Sequence, residues 1–134
     1  MSNRVEGRLR FAECRLERLP DGRLVAEVVL SDGSGRAFHG AGQSAAATDG
    51  DLWCAAEATL AALHAALGLG PSVLRVRDIV SFEIDGSPAV AVSLWTDVRG
   101  EARKLFGLCP ADEDRGRAAA LAVLSGTNRF FGGD

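Results

Sequence analysis

The sequence contains no tyrosine, one lysine and three cysteines among its 134 residues, and it has no long apolar run. No stretch approaches the roughly 18 consecutive apolar residues that a membrane-spanning helix needs, which excludes a segment of that kind. Cys14, Cys54 and Cys109 share no motif spacing, and the first residues show no apolar signal region. An odd number of cysteines without such a region favours reduced thiols, so we expect a cytoplasmic protein.

A strong charge of one sign is also missing. The formal net charge is −3, and 14 of the 15 basic residues are arginine. No basic stripe of the kind that binds nucleic acid or anionic lipid is present, so we expect neither a nucleic acid nor a membrane as partner. The same acidic balance disfavours an RNA-binding αβ module.

Patterns for catalysis and metal binding are missing as well. His39 and His64 have no cysteine or carboxylate at the spacing of metal ligands, and Ser44 and Ser125 lack the nucleophile motif of serine hydrolases. The glycines of residues 40–42 are not followed by the lysine of a phosphate-binding loop. We therefore predict no catalytic residue, no bound metal, no cofactor and no enzymatic activity.

The clearest pattern that is present is a helix between Asp49 and Gly70. Its large apolar residues fall on one narrow face: Leu52, Ala56, Leu60, Leu63 and Leu67. We expect this face to pack on a sheet. The opposite face carries no charge and should meet a second helix, in the same chain or in a second subunit; it consists of Cys54, Ala58, Ala61, Ala62 and Ala65. The alternative is an alanine-rich solvent face, since alanine is the best helix former.

Alternating apolar residues before this helix predict strands. A change of phase near Ala12 predicts a β-bulge in the first of them. The glycine-rich residues 40–50 then lead into the helix as a loop. The predicted strands lie at residues 5–18, 23–30 and 36–40.

The same series follows Pro71. Strands are predicted from Leu74 to Ile84, at residues 89–95 and at residues 101–109. A second helix follows the segment PADED at residues 110–114 and runs to about Asn128. In the first of these strands the apolar residues share one phase: Leu74, Val76, Val80, Phe82 and Ile84.

The chain therefore contains an internal repeat. LVAEVVLSDG in the first half matches AVAVSLWTDV in the second half at an offset of 65 residues. We predict one α+β domain over residues 1–134, built from two βββα repeats at about residues 5–70 and 71–131 with pseudo-twofold symmetry. A mostly antiparallel sheet should be covered by the two helices.

Polar residues at the helix ends have structural explanations. Asp49, Asp51, Asp112 and Asp114 precede or begin the helices, where carboxylates cap free N–H groups and favour the positive end of the helix dipole. Asn128 lies on an apolar face, and a buried amide needs hydrogen-bond partners. We therefore predict a structural role for Asn128, joining the helix end to a loop.

The glycine-bearing stretches before the two helices resemble a known family. They are GAGQSA at residues 40–45 and the segment from Gly107 to Asp114, and the second helix ends in GTNRF at residues 126–130. With the βββα order, these stretches resemble the C-terminal regulatory domain of 2-isopropylmalate synthase, over about residues 22–131. That family has G-x-G-P-x-x-A and G-x-x-x-D-x-D loops and an A-L-N-R-L helix end. Gln43 stands at the proline of the first loop, and residues 118–119 are alanines where serine is usual.

The resemblance implies a free-standing dimerising module without the catalytic barrel of the synthase. In the family the two loops hold an amino-acid effector at a dimer interface. Because this sequence departs from the family at Gln43 and at residues 118–119, the resemblance implies a different ligand or none. The leading hypothesis is a non-enzymatic homodimeric domain for regulation, small-molecule binding or assembly, with a small-molecule effector or a protein as partner. The alternative is a small thioesterase-like enzyme that acts on an acyl thioester and is built around one long central helix.

A ligand, if there is one, is expected beside the two loops. Each loop leads to a helix N-terminus, whose free N–H groups favour an anionic group, and glycine permits close backbone approach. The predicted ligand-binding residues are Gly40, Ala41, Gly42, Gln43, Ser44, Gly107 and Asp112. The predicted dimer-interface residues are those of the small helix faces: Cys54, Ala58, Ala61, Ala65, Ala118 and Ala122.

Overall fold

The chain folds into two βββα units in sequence. The structure is a computed structural model that describes residues 8–45, 47–70, 73–98, 100–111 and 114–131. The predicted α+β class with two βββα repeats is confirmed. The elements are β1 (Arg10–Arg18), β2 (Leu24–Ser31), β3 (Ala37–Ser44), α1 (Gly50–Leu67), β4 (Leu74–Ile84), β5 (Ser87–Val98), β6 (Glu101–Pro110) and α2 (Arg115–Phe131).

Each unit has its own antiparallel sheet. The first sheet has the strand order β1-β2-β3 and the second has the order β4-β5-β6. All strand pairs are antiparallel, as predicted, but the six strands form two sheets and not a common one. The residues that face inward from the central strands are almost fully buried, namely Ala26, Val28 and Leu30 in β2 and Val90, Val92 and Leu94 in β5.

A β-bulge interrupts the first strand of each sheet. In β1 the register shifts between Phe11 and Glu13, which confirms the bulge predicted near Ala12. In β4 it shifts between Val76 and Asp78. This second bulge was not predicted, and it makes the single phase expected from Leu74 to Ile84 wrong. Beyond it the buried residue is Ile79, and its alternating neighbours are exposed on the other side of the sheet: Val80, Phe82 and Ile84.

The two helices lie between the sheets. Helix α1 packs on β2 and β3, helix α2 packs on β5 and β6, and the helices pack on each other. The contacts that cross between the units are reciprocal, because β1 reaches α2 and β4 reaches α1. This reciprocity is the pseudo-twofold relation that the repeat predicts, and it places one shared core at the centre of the domain.

The last strand of each unit lies unusually close to its helix. A Cβ atom added to Gly42 would lie 2.5 Å from the carbonyl oxygen of Cys54 and 2.7 Å from the nitrogen of Ala58. A Cβ atom on Gly40 would collide with the α1 backbone, and one on Gly107 would collide with the carbonyl oxygen of Ala122 in α2. Glycine in the strand and small residues in the helix therefore permit backbone contact between the two elements.

This contact reverses the expected orientation of α1. The small-residue face of α1 packs on its own sheet, and its leucine-bearing face is turned away from that sheet towards the second unit. The expectation that the large face covers the sheet is therefore wrong. Its assumption was that a sheet presents side chains to a helix, whereas β3 presents Gly40 and Gly42.

The helix ends combine expected and unexpected features. Gly68 ends α1 with a left-handed backbone, φ 66°, and its N–H donates to the carbonyl oxygen of His64. Asp114 caps α2, because its Oδ1 accepts a hydrogen bond of 2.9 Å from the backbone N–H of Arg117. Asp49 occupies the N-cap position of α1 but makes no side-chain cap bond. Asp112, which was also expected to cap, lies outside the described residues.

Candidate functional site

Residues 40–44, predicted as a ligand-binding loop, belong to strand β3. The loop prediction is therefore wrong. Glycine is uncommon in strands, so these residues did not look like a strand in the sequence, although here the glycines permit the contact with α1. Neither Gly40 nor Gly42 has a positive φ. Ala41 lies on the exposed side of the strand.

The other predicted ligand-binding residues either form hydrogen bonds within the chain or lie elsewhere in the fold. The Oε1 of Gln43 accepts a hydrogen bond of 2.8 Å from Nη1 of Arg23, and the hydroxyl of Ser44 donates to the carbonyl oxygen of Gly50 at 2.6 Å. Gly107 lies in β6 beneath α2. Asp112 falls outside the described part of the chain. The two predicted loops are therefore not brought together as one site by the described residues.

Four of the six predicted dimer-interface residues are buried inside the single chain. Cys54, Ala58 and Ala122 have 0% exposure and Ala118 has 2%. These residues cannot contact a second subunit without opening the domain, so their assignment to an interface is wrong for this fold. The other two predicted residues, Ala61 and Ala65, reach the surface, where Ala61 is half-buried and Ala65 is exposed.

The described surface has a groove of about 380 Å³ over α1, between the edges of β3 and β4. We call it the α1 groove. Its ionisable residues are Glu57, His64 and Arg75. The rest of its lining is apolar and comes from all three elements: Ala41, Leu60, Ala61, Leu74 and Val76. Glu57 and His64 are seven residues apart on α1, which places them on one side of the helix two turns apart.

His64 is held in one orientation by the neighbouring strand. The backbone N–H of Leu74 donates a hydrogen bond of 3.3 Å to its Nε2. An imidazole that accepts at Nε2 is neutral and carries its proton on Nδ1, which leaves Nδ1 as a hydrogen-bond donor. Burial lowers the pKa of His64 below its ordinary value, which also favours the neutral form.

Glu57 is the acidic group of the groove. Burial of its carboxylate raises its pKa above the ordinary value, although part of the side chain is exposed. No salt bridge to Glu57 occurs among the described residues. The groove thus holds a carboxylate that an approaching cation would stabilise. Arg75 of the edge strand β4 lies at the rim of the groove, and its register opposite Trp95 directs its side chain towards the outer side of the second sheet.

A separate ion-pair cluster joins the N-terminal ends of the two helices. Arg115 of α2 donates from Nε to Asp51 at 2.8 Å and from Nη2 to Asp49 at 2.7 Å. The guanidinium holds the pKa of Asp51 below its ordinary value, mainly through the hydrogen bond. The two aspartates therefore bind a residue of the other unit, and Asp49 directs its Oδ1 to Arg115 and makes no side-chain cap bond in α1.

The outer faces of the two sheets differ in chemistry. Register places exposed polar side chains on the outer face of the first sheet, which we call the charged face: Glu13, Arg15, Glu17, Glu27, His39 and Gln43. The outer face of the second sheet is hydrophobic, and we call it the apolar face. Its exposed side chains, with their exposed fractions, are Val80 (44%), Phe82 (37%), Ile84 (48%), Phe106 (62%) and Leu108 (50%).

Other chemistry is limited in the part of the chain that the structure describes. Burial raises the pKa of Cys14 to about 11 and also raises that of Cys54, so both favour the unreactive thiol form. Within the described residues, no group of three His, Cys, Asp or Glu side chains is arranged to hold a metal ion. Neither described helix has the length and hydrophobicity of a bilayer-spanning segment.

Sequence reasoning found some of these features and missed others. The link predicted for Asn128 is present, since its Nδ2 donates to the carbonyl oxygen of Leu9 at 3.1 Å, just before β1. Glu57 and His64 were not predicted as site residues, although they stand out in the sequence as strongly polar residues on one flank of an apolar helix. Arg75 carries no such signal, because only the packing of β4 beside α1 brings it to the groove.

Neither a scan of the chain against protein-family models nor a search of curated proteins finds a match.

Proposed function

We propose that this protein is a non-enzymatic homodimeric regulatory module that binds a small zwitterionic molecule in the α1 groove. The α1 groove is the observation that carries the proposal. Its volume of about 380 Å³ lies within the range of roughly 300–1,000 Å³ that is usual for ligand sites. Its combination of an apolar lining with a few polar groups is also typical of such sites.

The polar groups of the groove define the chemistry of the ligand. Glu57 would pair with an ammonium group, and Arg75 at the rim would pair with a carboxylate that reaches the edge of β4. The Nδ1–H of His64 would donate to a second acceptor, since its Nε2 is already bonded to the Leu74 N–H. A compact molecule with one ammonium and one carboxylate satisfies these groups together, and an apolar side chain would lie against Leu60 and Val76.

A regulatory role also agrees with the resemblance to the effector-binding domain of 2-isopropylmalate synthase. The two βββα units and the GAGQSA and GTNRF stretches support that resemblance. The site proposed here lies over α1 and between two strand edges. Of the residues that the resemblance suggested, Ala41 contributes to its lining.

Binding without catalysis is supported by the composition of the groove. Among the described residues that line it, none is a serine, threonine or cysteine that Glu57 or His64 would activate. The two cysteines with raised pKa values face the interior and favour the thiol form. A thioesterase-like fold would have one central helix wrapped by one sheet, whereas each of two helices here has its own sheet.

A thermal-shift screen tests the proposed ligand class. Free amino acids, simple amines and simple carboxylates at equal concentration are compared, and the amino acids are expected to raise the Tm most, because a ligand of the native state stabilises it. Glu57→Gln should reduce this shift, and Glu27→Gln on the charged face is the matched control. An equal response of the two variants, or no response of the wild type to any amino acid, would contradict the proposal.

A further inference from the structure

The apolar face is a continuous surface because strand register aligns its members. Val80 on β4 lies opposite Ala91 on β5, and Ala91 lies opposite Leu108 on β6. Phe106 is the next residue on this side of β6, two positions before Leu108, and it lies opposite Ser93. Residues directly opposite in antiparallel strands project to the same side of a sheet, so these side chains form one hydrophobic band across all three strands.

The fold itself does not require this band. The corresponding positions across the first sheet are Arg15, Glu27 and Ala41, which lie opposite one another in the same edge-centre-edge relation. Two of these three are polar and exposed, and the first unit still forms the same βββα arrangement. The inner side of the second sheet already has its own partner in α2. The exposed hydrophobic residues are therefore explained by something outside the single chain.

The size of the surface suits a dimer. The strands of the second sheet have 11, 12 and 10 residues. At about 4.8 Å between strands and about 3.3 Å per residue, this face measures roughly 14 Å by 35 Å in projection. Two such faces together give about 1,000 Å² of projected area, which reaches the ~1,000 Å² in total that a specific interface needs.

We infer that a second copy of this chain packs its apolar face against the apolar face of the first, so that the two second sheets stack. The inference rests on the homodimer of the proposed function and assigns its surface. Two copies of one sheet have the same twist, so they pack face to face with their strands about 30° apart and interdigitate their side chains. A twofold axis then uses the same patch twice, which is how most homodimers close.

Charge around the band favours this occupant over a lipid surface. Asp78 and Arg77 on β4 and Lys104 on β6 lie near the same end of the sheet, where Arg77 stacks over Trp95, so this end of the face carries both signs of charge. A second copy supplies both signs in return, whereas an anionic lipid surface would pair with the basic groups alone. The chain's net charge of −3 also opposes adsorption to anionic lipid.

Light scattering on the intact chain tests the inference. Wild-type protein is expected at twice the chain mass at micromolar concentration. Val80→Lys combined with Leu108→Lys should increase the dimer Kd at least 100-fold and give a single-chain mass, because apposed lysines would be desolvated in the interface. Glu13→Lys combined with His39→Lys is the matched control on the charged face, and it should leave the dimer intact.

A milder pair of substitutions tests the same surface without disturbing the fold of the single chain. Val80→Thr with Leu108→Thr retains strand propensity and should still increase the dimer Kd about tenfold or more, with an unchanged circular dichroism spectrum. A wild-type chain that stays a monomer over the whole concentration series would overturn the homodimer itself. A wild-type dimer whose Kd is the same in both the lysine and threonine pairs would overturn only the assigned surface and leave the homodimer standing.

Discussion

The two βββα units of this protein share their inner contacts and differ in what they present to the outside. In both, a glycine of the last strand allows the small side of the helix to reach the strand backbone: Gly40 and Gly42 under α1, and Gly107 under α2. Outside, the first sheet shows mixed charges, and the second shows a hydrophobic band from Val80 to Leu108.

The helices differ in a corresponding way. With Ala55–Ala56 aligned to Ala118–Ala119, the positions of Glu57 and His64 in α1 correspond to Ala120 and Thr127 in α2. Glu57 and His64 line an open groove, whereas Ala120 and Thr127 are 0% and 1% exposed. The shared interior fixes the arrangement of both units, so the exposed residues are free to place ionisable groups along the groove over α1 and to make the outer face of the second sheet hydrophobic.

The most severe test of the shared inner contact is to place a side chain in it. Gly107→Val is expected to destabilise the domain by at least about 3 kcal/mol, because its Cβ has no space beside the Ala122 carbonyl and α2 must move away from β6. Gly40→Val should have a comparable effect through α1. Urea unfolding measures both.

Gly70→Ala is the control for this pair. Its added Cβ would have its nearest neighbour, a methyl of Val73, at 3.7 Å, which is an ordinary contact. If Gly107→Val unfolds at the same urea concentration as Gly70→Ala, the close contact between α2 and β6 does not exist in solution.

A second test compares the two sides of the second sheet with one substitution. Val92 on the inner side is 2% exposed and Val80 on the outer side is 44% exposed. Val92→Ala should cost about 2 kcal/mol, because it removes buried methyl groups and leaves a cavity. Val80→Ala should change the stability of the dilute single chain by about 0.5 kcal/mol or less. Equal losses in unfolding experiments would mean that the outer face is packed within the chain.

The smallest expected effect concerns the contact that joins the two units. Arg115→Gln removes the ion pairs to Asp49 and Asp51 and should cost about 1 kcal/mol near pH 7, since the Arg115 side chain is 42% exposed and solvent weakens its pairs. Arg15→Gln, which breaks a pair between side chains 73% and 49% exposed within one strand, should cost less than about 0.5 kcal/mol. Denaturant titrations of the three proteins give these differences.

The dependence of this effect on pH has a defined sign. The pKa of Asp51 is lower in the folded chain, so its contribution is complete well above its ordinary pKa of about 3.9 and is lost as the pH falls through the folded value. The difference between wild type and Arg115→Gln should therefore shrink as the pH is lowered below about 4. A difference that grows in acid would show that the pair is not formed in the native state.

Much of the fold could be predicted because its signals are local. Alternation in β2 and β5 located the central strands and their buried residues, and the change of phase around Ala12 located the first bulge. The repeat then gave the order of elements in the second half. The second bulge was hidden because two successive residues that follow it, Ile79 and Val80, are both apolar. A continuous phase through Val80 was therefore equally consistent with the sequence.

The features that were missed depend on tertiary packing. Strand β3 was predicted to end at Gly40, because nothing local shows that a helix backbone will lie on its glycines. The same omission placed the small-residue helix faces in an interface, although the chain itself fills that space. Glu57 and His64 stand out in the sequence as polar residues on a helix flank, but they were not predicted as site residues, because the groove requires β4 to lie beside α1, which no spacing in the sequence reveals.

The paired bulges also affect how this chain behaves at high concentration. Each lies in a strand at the edge of its sheet, and an unpaired edge offers its N–H and C=O groups to any strand of another molecule. A bulge breaks the regular spacing of those groups and bends the strand, so an incoming strand cannot add along the whole edge. The charged Arg77 at the second bulge is a further obstacle to such addition. Resistance to polymerisation at these two edges would allow the chain to expose a hydrophobic sheet face without forming fibres.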